Sequence, residues 1–387
     1  MDDAVIVATA RTPIGRAFKG SLREARPDDL GGFVVRGLLD QVPQLDGAEV
    51  EDVIVGTAVP EGEQGLGIGR IVAALSGLPE TVPGSTVSRA CASSLQAIAA
   101  AFHAVRAGEG DVFVAAGVES VSRVPGGDPS GHLNPRFLDD SRPDFVSRMY
   151  TSMLQTAENV AVRHDVSRDR MDEFAMLSQQ RAAKATGDGF FAREILPWTT
   201  PDGTVVDSDD CPRPGTTLEG LAALSPALGE PHRVTAGNAC PLNDGAAAVL
   251  VMSATRAQQL ELRPMARIVA SAVSGLDPEY MGVGPIEACR KVLDRAGMTI
   301  GDVDIVELNE AFAAQVLAVT DALGVSVAEQ LNPHGGAIAL GHPFGMTGAR
   351  IMTTLLNGLR TRDQQIGLET MCVGGGMGMA MLVERLD

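Results

Sequence analysis

The chain has 387 residues, of which 45% are apolar and 21% charged, and a formal net charge of −18. That balance suits a globular protein of two or three domains and excludes a nucleic-acid binder, which needs a basic footprint. No apolar run is long enough to span a bilayer, and "MDDAVIVATARTPIG" lacks the basic start and apolar stretch of a signal peptide, so a cytoplasmic protein is expected.

Short apolar runs alternate with helical stretches. "DAVIVATA" predicts a strand, "DDLGGFVVRGLLDQV" an amphipathic helix, "VEDVIVGTAV" a strand, "GIGRIVAALSGL" a helix and "DVFVAAGVES" a strand. The alternation predicts a layered α/β fold. From about residue 121 to 245 the pattern gives way to Pro-, Gly- and Asp-rich segments. Two helices are expected around "TAENVAVRHDVSRDRMDEFAMLSQQRAAKA", which makes the stretch a folded, loop-rich insert. The α/β pattern returns with "AAAVLVMS", "ARIVASAV", "GPIEACRKVLDRAG" and "VDIVELNEAFAAQVLAVTDALG".

An internal repeat overlays this order. "GAEVEDVIVG" resembles "GMTIGDVDIVE", with Val55 and Val306 in matching places, 306 − 55 = 251. "SRACASSLQAIAAAFHAVRAG" answers "ALGHPFGMTGARIMTTLLNGLR", and the same offset carries Cys91 to His342, since 342 − 91 = 251. Two halves packed about a pseudo-twofold axis would bring these two helix starts to one site.

The five cysteines, Cys91, Cys211, Cys240, Cys289 and Cys372, form no C-x-x-C pair and are odd in number, so reduced thiols are expected. The six histidines lack metal-ligand spacing, and no metal is expected. Taken alone, Cys91 reads as a small buried hydrophobe or as a nucleophile whose thiolate a helix N-terminus would favour. Likewise His342 reads as a structural hydrogen-bonder or a base, and Asn309 as a helix N-cap or a site residue. Cys372 precedes three glycines, which let a backbone approach a ligand and aim N–H groups at it. Together the four point to one catalytic site.

These stretches carry a family resemblance. From "VIVATARTPIG" through "GVESVS", "QTAENVA", "TAGNACPLNDGAAA" and "LNEAFA" to "NPHGGAIALGHPFGMTGAR" and "CVGGGMGMA", the chain resembles the thiolases end to end. The resemblance implies a five-layered αβαβα sandwich of two pseudo-repeated halves with an inserted loop domain. It places the first half at residues 1–120 plus 246–265, the loop domain at 121–245 and the second half at 266–387. It implies a homodimer or homotetramer. Coenzyme A (CoA) is implied as co-substrate, with no tightly bound cofactor.

The implied activity is ping-pong cleavage of a 3-ketoacyl-CoA by CoA. Cys91 is the expected nucleophile, His342 its activator and Cys372 the acid/base at the α-carbon. Asn309, through a water, and His342 would form one oxyanion hole, and the N–H groups of Cys91 and Gly374 the other. Arg213, Gly220, Cys240, Ser152, Met153, Met281 and Phe312 match CoA- or substrate-contacting positions. Four departures stand out. Ala90 replaces a bulky aromatic and Ser94 a glycine. Cys240-Pro241 replaces Ser-Gly, and His334 an asparagine. With Ser152 standing where biosynthetic members carry histidine, these favour a degradative 3-ketoacyl-CoA thiolase of β-oxidation or related catabolism. The alternatives are an acetoacetyl-CoA thiolase and, more remotely, a non-catalytic CoA- or lipid-binding relative.

Overall fold

The first apolar run forms β1 (Ala4–Arg11), followed by the short β2 (Gly15–Arg16). Helix α1 (Pro27–Leu39) opens with Pro27 and carries Asp28 and Asp29 in its first turn, which suits the positive end of the helix dipole. Next come β3 (Asp52–Gly56), α2 (Ile68–Leu75), β4 (Gly84–Val87), α3 (Ser93–Ala107) and β5 (Val112–Ser120). The computed structural model describes residues 2–126, 129–139, 141, 146 and 148–387, so part of the expected loop domain lies outside the described residues. Within that stretch the two expected helices are α4 (Met153–Arg163) and α5 (Arg168–Gly187), each capped by a serine hydroxyl, Ser152 and Ser167. A small pair, β6 (Trp198–Thr199) and β7 (Val205–Val206), and a short α6 (Leu218–Ala222) complete it.

The rest of the chain forms β8 (Asn243–Ser253), α7 (Ala254–Gln259), β9 (Ala266–Gly275), α8 (Gly284–Ala296), β10 (Ile305–Leu308), α9 (Ala313–Leu323), α10 (Ala337–Leu340), α11 (Thr347–Thr361), β11 (Ile366–Val373) and β12 (Met377–Arg385). One sheet runs β4-β3-β5-β8-β1-β9-β12-β11-β10, with β2 beside β8. Its two halves join where Val5 and Ile6 pair with Arg267 and Ala266. Outward from that seam β1, β8, β5 and β3 answer β9, β12, β11 and β10, so the order mirrors itself. Helices α1 and α8 both have 13 residues, and α3 and α11 both have 15.

Three apolar cores separate five layers. One packs α1 and α2 on an outer face of the first half-sheet. The second holds α3 and α11 between the inner faces of both half-sheets. The third packs α8, α9, α4 and α5 on the outer face of the second half-sheet. Strand β8 is buried along its whole length, so "NDGAAAVLVMS" shows a continuous small and apolar run instead of alternation. Among the described residues no helix is long and apolar enough to cross a membrane.

Candidate active site

Cys91 stands two residues before α3, just outside the helix whose start was expected to hold it. It sits in a tight turn in which Arg89 and Cys91 form an isolated bridge around Ala90. Ala90 takes a left-handed φ of +43°, which costs a non-glycine residue about 1–2 kcal/mol. Ser93 locks the turn: it accepts the Arg89 N–H at 2.9 Å and donates to the Ala90 carbonyl at 2.6 Å. The turn pushes the thiol out of the helix line toward the glycine loop, where the Gly374 backbone N–H donates to it. The expected lowering of this thiol is not found. Burial, with a smaller push from the Glu119 carboxylate, raises Cys91 to about 11 and outweighs the N–H groups of Gly374 and Cys91. The neighbouring cation does not help, because the Arg89 guanidinium turns to Gln96 at 2.7 Å and to the Met377 sulfur.

His342 is 1% exposed. Its Nδ1 lies 2.7 Å from the Thr347 hydroxyl, which donates its one proton to the Pro343 carbonyl at 2.8 Å. Thr347 therefore accepts from Nδ1–H, and Nε2 is left bare. Asn309 Nδ2 meets that nitrogen at 3.2 Å. Burial, with Arg350 adding to it, lowers the imidazole to about 3. The resting pair is thus a neutral thiol and a neutral imidazole. Asn309 is not the cap of α9: that position is Phe312, and the Asn309 backbone N–H joins Thr370 of β11 instead.

Cys372 lies inside β11, one residue before its end. Burial raises it well above an ordinary thiol, and ionisation of the nearby Cys91 or Cys240 would push it the same way. Cys91, Cys240 and Cys372 are therefore within electrostatic reach of one another. Cys240 is fixed by its N–H to the Ala311 carbonyl at 3.0 Å, and the adjacent Ala239 bridges Phe312. Met281 and Phe312 are buried together in the core of the second half. In contrast, Ser152 and Met153 are exposed at the start of α4, and the Ser152 hydroxyl accepts the Gln155 N–H at 3.3 Å. Arg213 and Gly220 meet elsewhere, in a cleft of about 230 Å³ with Gln179, Thr217 and Gly237. The Gln179 side chain anchors the Arg213 backbone at 2.7 Å, leaving the exposed guanidinium at the cleft.

Two departures resolve into packing. The Ser94 hydroxyl accepts the Ala349 N–H at 2.9 Å, bridging α3 to the first turn of α11. His334 stacks on Phe190 at 3.8 Å in a half-buried position, where desolvation and then the nearby Arg362, Arg193 and Arg181 lower it to about 4.

Four supports went unread in the sequence. Glu119 accepts from the Ala58 and Gly345 N–H groups at 2.8 and 2.7 Å and so clamps the His342 loop to the first half. A side chain on Gly345 would meet the Val118 carbonyl at 2.6 Å, so only glycine allows this approach. Asn243 accepts the His342 N–H at 2.9 Å. Glu310 accepts from Ser178, Asn332 and the Ile338 N–H, fixing the turn before α10. The fourth is Thr347. The two acids are charged residues inside apolar runs, "GVES" and "ELNEAFA", and such buried charges are rare without a purpose.

Comparison with known proteins places these residues in context. The family profile "Thiolase, N-terminal domain" matches residues 4–255 and "Thiolase, C-terminal domain" matches residues 262–385. The beta-ketoadipyl-CoA thiolase of Acinetobacter baylyi is 44% identical over 402 residues, covering 100% of both chains. The 3-ketoacyl-CoA thiolase of Bacillus subtilis is 44% identical over 398 residues, covering 99% of this chain and 100% of its own. The 3-oxoadipyl-CoA/3-oxo-5,6-dehydrosuberyl-CoA thiolase of Escherichia coli is 44% identical over 402 residues, with full coverage of both.

Proposed function

Given that the chain belongs to the thiolase family and is an acyltransferase acting on CoA thioesters, we propose that it cleaves 3-ketoacyl-CoA with CoA, in fatty-acid β-oxidation or a related catabolic route. The products are acetyl-CoA and a shortened acyl-CoA. The main support is the meeting of Cys91 from the first half with the Gly374 N–H from the second, beside a buried His342–Asn309 pair that the second half also supplies.

The Cys91 sulfur attacks the 3-keto carbon, and its proton passes to the bare Nε2 of His342. Because the resting thiol and imidazole are both neutral, this transfer accompanies bond formation rather than preceding it. The N–H groups of Cys91 and Gly374 face the sulfur and so suit the oxyanion that forms on the carbon bound to it. Each preorganised donor of this kind contributes about 3–4 kcal/mol to the barrier drop. Cleavage of the C2–C3 bond leaves the enolate of acetyl-CoA. Its oxygen suits the Nε2–H of His342 and the Asn309 amide, and its carbon takes the proton of Cys372. A thiol held above its ordinary range keeps its proton until a carbanion needs it. Cys372, left as a thiolate, then takes the thiol proton of CoA; the CoA sulfur attacks the Cys91 thioester and releases the shortened acyl-CoA, and the departing Cys91 sulfur takes its proton back from His342.

We assign the loop domain, residues 121–245, to CoA. The net charge of −18 makes a local cation necessary for an anionic ligand, and Arg213 at its cleft supplies one. The open edge of β4, with exposed Ser85 and Thr86, suits pairing with a second copy in a homo-oligomer.

A second reading concerns the acyl tail. The names of the Acinetobacter baylyi and Escherichia coli relatives specify acid-terminated chains. Arg148, paired with Glu279 at 2.9 Å, adjoins Met149, whose sulfur is 3.6 Å from where a Gly375 side chain would begin. The segment that carries Arg148 thus passes the glycine loop, and this reading stands on the relatives' names together with that passage. Turnover of acetoacetyl-CoA, 3-ketooctanoyl-CoA and 3-ketoadipyl-CoA, each with CoA, separates the readings. The longer substrates are expected to exceed acetoacetyl-CoA in kcat/KM. A clear preference for acetoacetyl-CoA would overturn the degradative assignment.

A further inference from the structure

Behind the catalytic residues of the second half, three charged side chains are buried together. Glu307 of β10 and Glu369 of β11 are direct partners in the parallel register. Neighbouring strands lie about 4.8 Å apart, and paired residues leave a sheet on the same face. That face is the one on which α11 packs, and α11 carries Arg350. The three are 2%, 0% and 1% exposed. Glu307 Oε1, both Glu369 carboxylate oxygens, and Nε and Nη1 of Arg350 have no hydrogen-bond partner among the described residues. Buried charges at such density are not left bare, and bridging water is the ordinary way to satisfy them.

The cluster is also one short step from three catalytic groups. Glu307 precedes Asn309 by two residues, and Glu369 precedes Cys372 by three. Arg350 lies one helical turn after Thr347, whose hydroxyl holds His342 Nδ1. We infer that Glu307, Glu369 and Arg350 form one water-bridged positioning unit that locks β10, β11 and α11 in register, so that the Asn309 amide, the Cys372 thiol and the His342 imidazole stay aligned for carbon–carbon cleavage. This rests on the thiolase reading above and adds three residues that touch no substrate.

The surrounding charges leave this trio to itself. Arg350 faces Glu307, Glu369, Glu194 and Arg11, and Glu307 also faces Glu310 and Arg181. Arg11 is bound by Glu194 at 2.9 Å and by Asp209 at 2.8 Å. Arg181 donates to the backbone carbonyls of Leu331 and Val327. The two carboxyl groups therefore serve as the counter-charge of Arg350. Burial pushes both upward, Glu307 to about 8, so the pair keeps a proton at neutral pH. A protonated carboxyl can donate into the bridging water, while its ionised neighbour balances the guanidinium. The positive charge of Arg350 also opposes protonation of His342, which links the unit to the base as well as to its position.

The test is steady-state thiolysis of 3-ketoacyl-CoA by the wild-type enzyme and by Arg350→Met, Arg350→Lys and Glu369→Gln, from neutral pH down through the acid range in which each stays folded, with melting curves for each. Arg350→Met is expected to lower kcat about tenfold or more while KM changes less than about twofold. Its acidic limb should move to higher pH, because loss of the cation makes His342 easier to protonate. Arg350→Lys should recover most of kcat. Glu369→Gln keeps size and shape, so it carries the test if Arg350→Met does not fold; a kcat loss of about threefold to tenfold at unchanged KM is expected. Folded variants with wild-type kcat, KM and pH profile, differing only in melting temperature, would overturn the proposal. If the wild-type enzyme cleaves no 3-ketoacyl-CoA, the substrate reading fails separately. The unit is then judged on the rate at which acetyl-CoA loads Cys91 in the same variants, with the same slowing and pH displacement expected.

Discussion

The two halves share a strand order and a pair of 15-residue inner helices, yet they prepare their helix starts in opposite ways. In the first half the approach to α3 is strained, with Ala90 left-handed and Cys91 held outside the helix with its sulfur toward the glycine loop. In the second half His342 is fully engaged, through its backbone to Asn243 and through its ring to Thr347 and Asn309. The short turn Phe344–Met346 separates it from α11, and the helices are offset by 347 − 93 = 254, not by the 251 that relates the two side chains. On the proposed mechanism, one repeat thus holds its nucleophile in a strained turn and the other holds its base in a hydrogen-bonded pocket. Strain suits the group that must form and break bonds, and saturation of hydrogen bonds suits the group that must hold one tautomer.

The largest effects should come from the first half. Cys91→Ala is expected to lower thiolysis by about 10⁴-fold or more, because the covalent route is lost. Cys372→Ala should cost about 10²–10⁴-fold in cleavage yet still let Cys91 accept an acyl group, since only the carbon acid/base is removed. Equal loss of acyl loading in both variants would erase the division of labour between the two thiols. Thr347→Val tests the second half: it frees the Nδ1 tautomer and should lower kcat about tenfold, with little change in KM. Unchanged kcat would mean that Asn309 alone holds the ring.

Smaller effects concern the joint between the halves. Ser94→Ala removes the cap on the Ala349 N–H and should destabilise the fold by about 1 kcal/mol, measured in denaturant, with kcat/KM largely kept. A large kinetic loss instead would place Ser94 in the acyl site. Acid stability gives the finest test. His334 and His342 lie near 4 and 3 in the fold, below the ordinary 6.5, so as pH falls from 6.5 the unfolded chain binds protons that the fold refuses. Stability should therefore drop over that window. His334→Asn should remove about 2–3 kcal/mol of the drop, and an equally steep loss in that variant would exclude His334 as a cause.

Much of this architecture was legible in the sequence because periodicity and repetition are one-dimensional. The strands β1, β3, β5, β8 and β9 and the helices α1, α4, α5 and α8 fall where the apolar patterns place them. The expectation that Cys91 and His342 share a site came from a numerical offset. Other features depend on three-dimensional facts that no spacing encodes. The thiol of Cys91 rises because burial outweighs nearby N–H groups, and exclusion of water at a site is not visible in "SRACASS". Ser94 is only a departure from the family's glycine until its hydroxyl is seen to join α3 to α11. Glu119 and Asn243 act on a loop more than 90 residues away in the chain, across the seam between the halves.

The central claim is that Cys91, alone among the five thiols, carries the acyl group. Incubation of the Cys372→Ala enzyme with acetyl-CoA, followed by proteolysis and mass spectrometry, tests it most directly. One acetyl group on the peptide bearing Cys91, and none on Cys240, Cys211 or Cys289, is the expected result. An acetyl group on Cys240 in place of Cys91, or no adduct on any cysteine while the enzyme still exchanges acetyl groups with CoA, would contradict it.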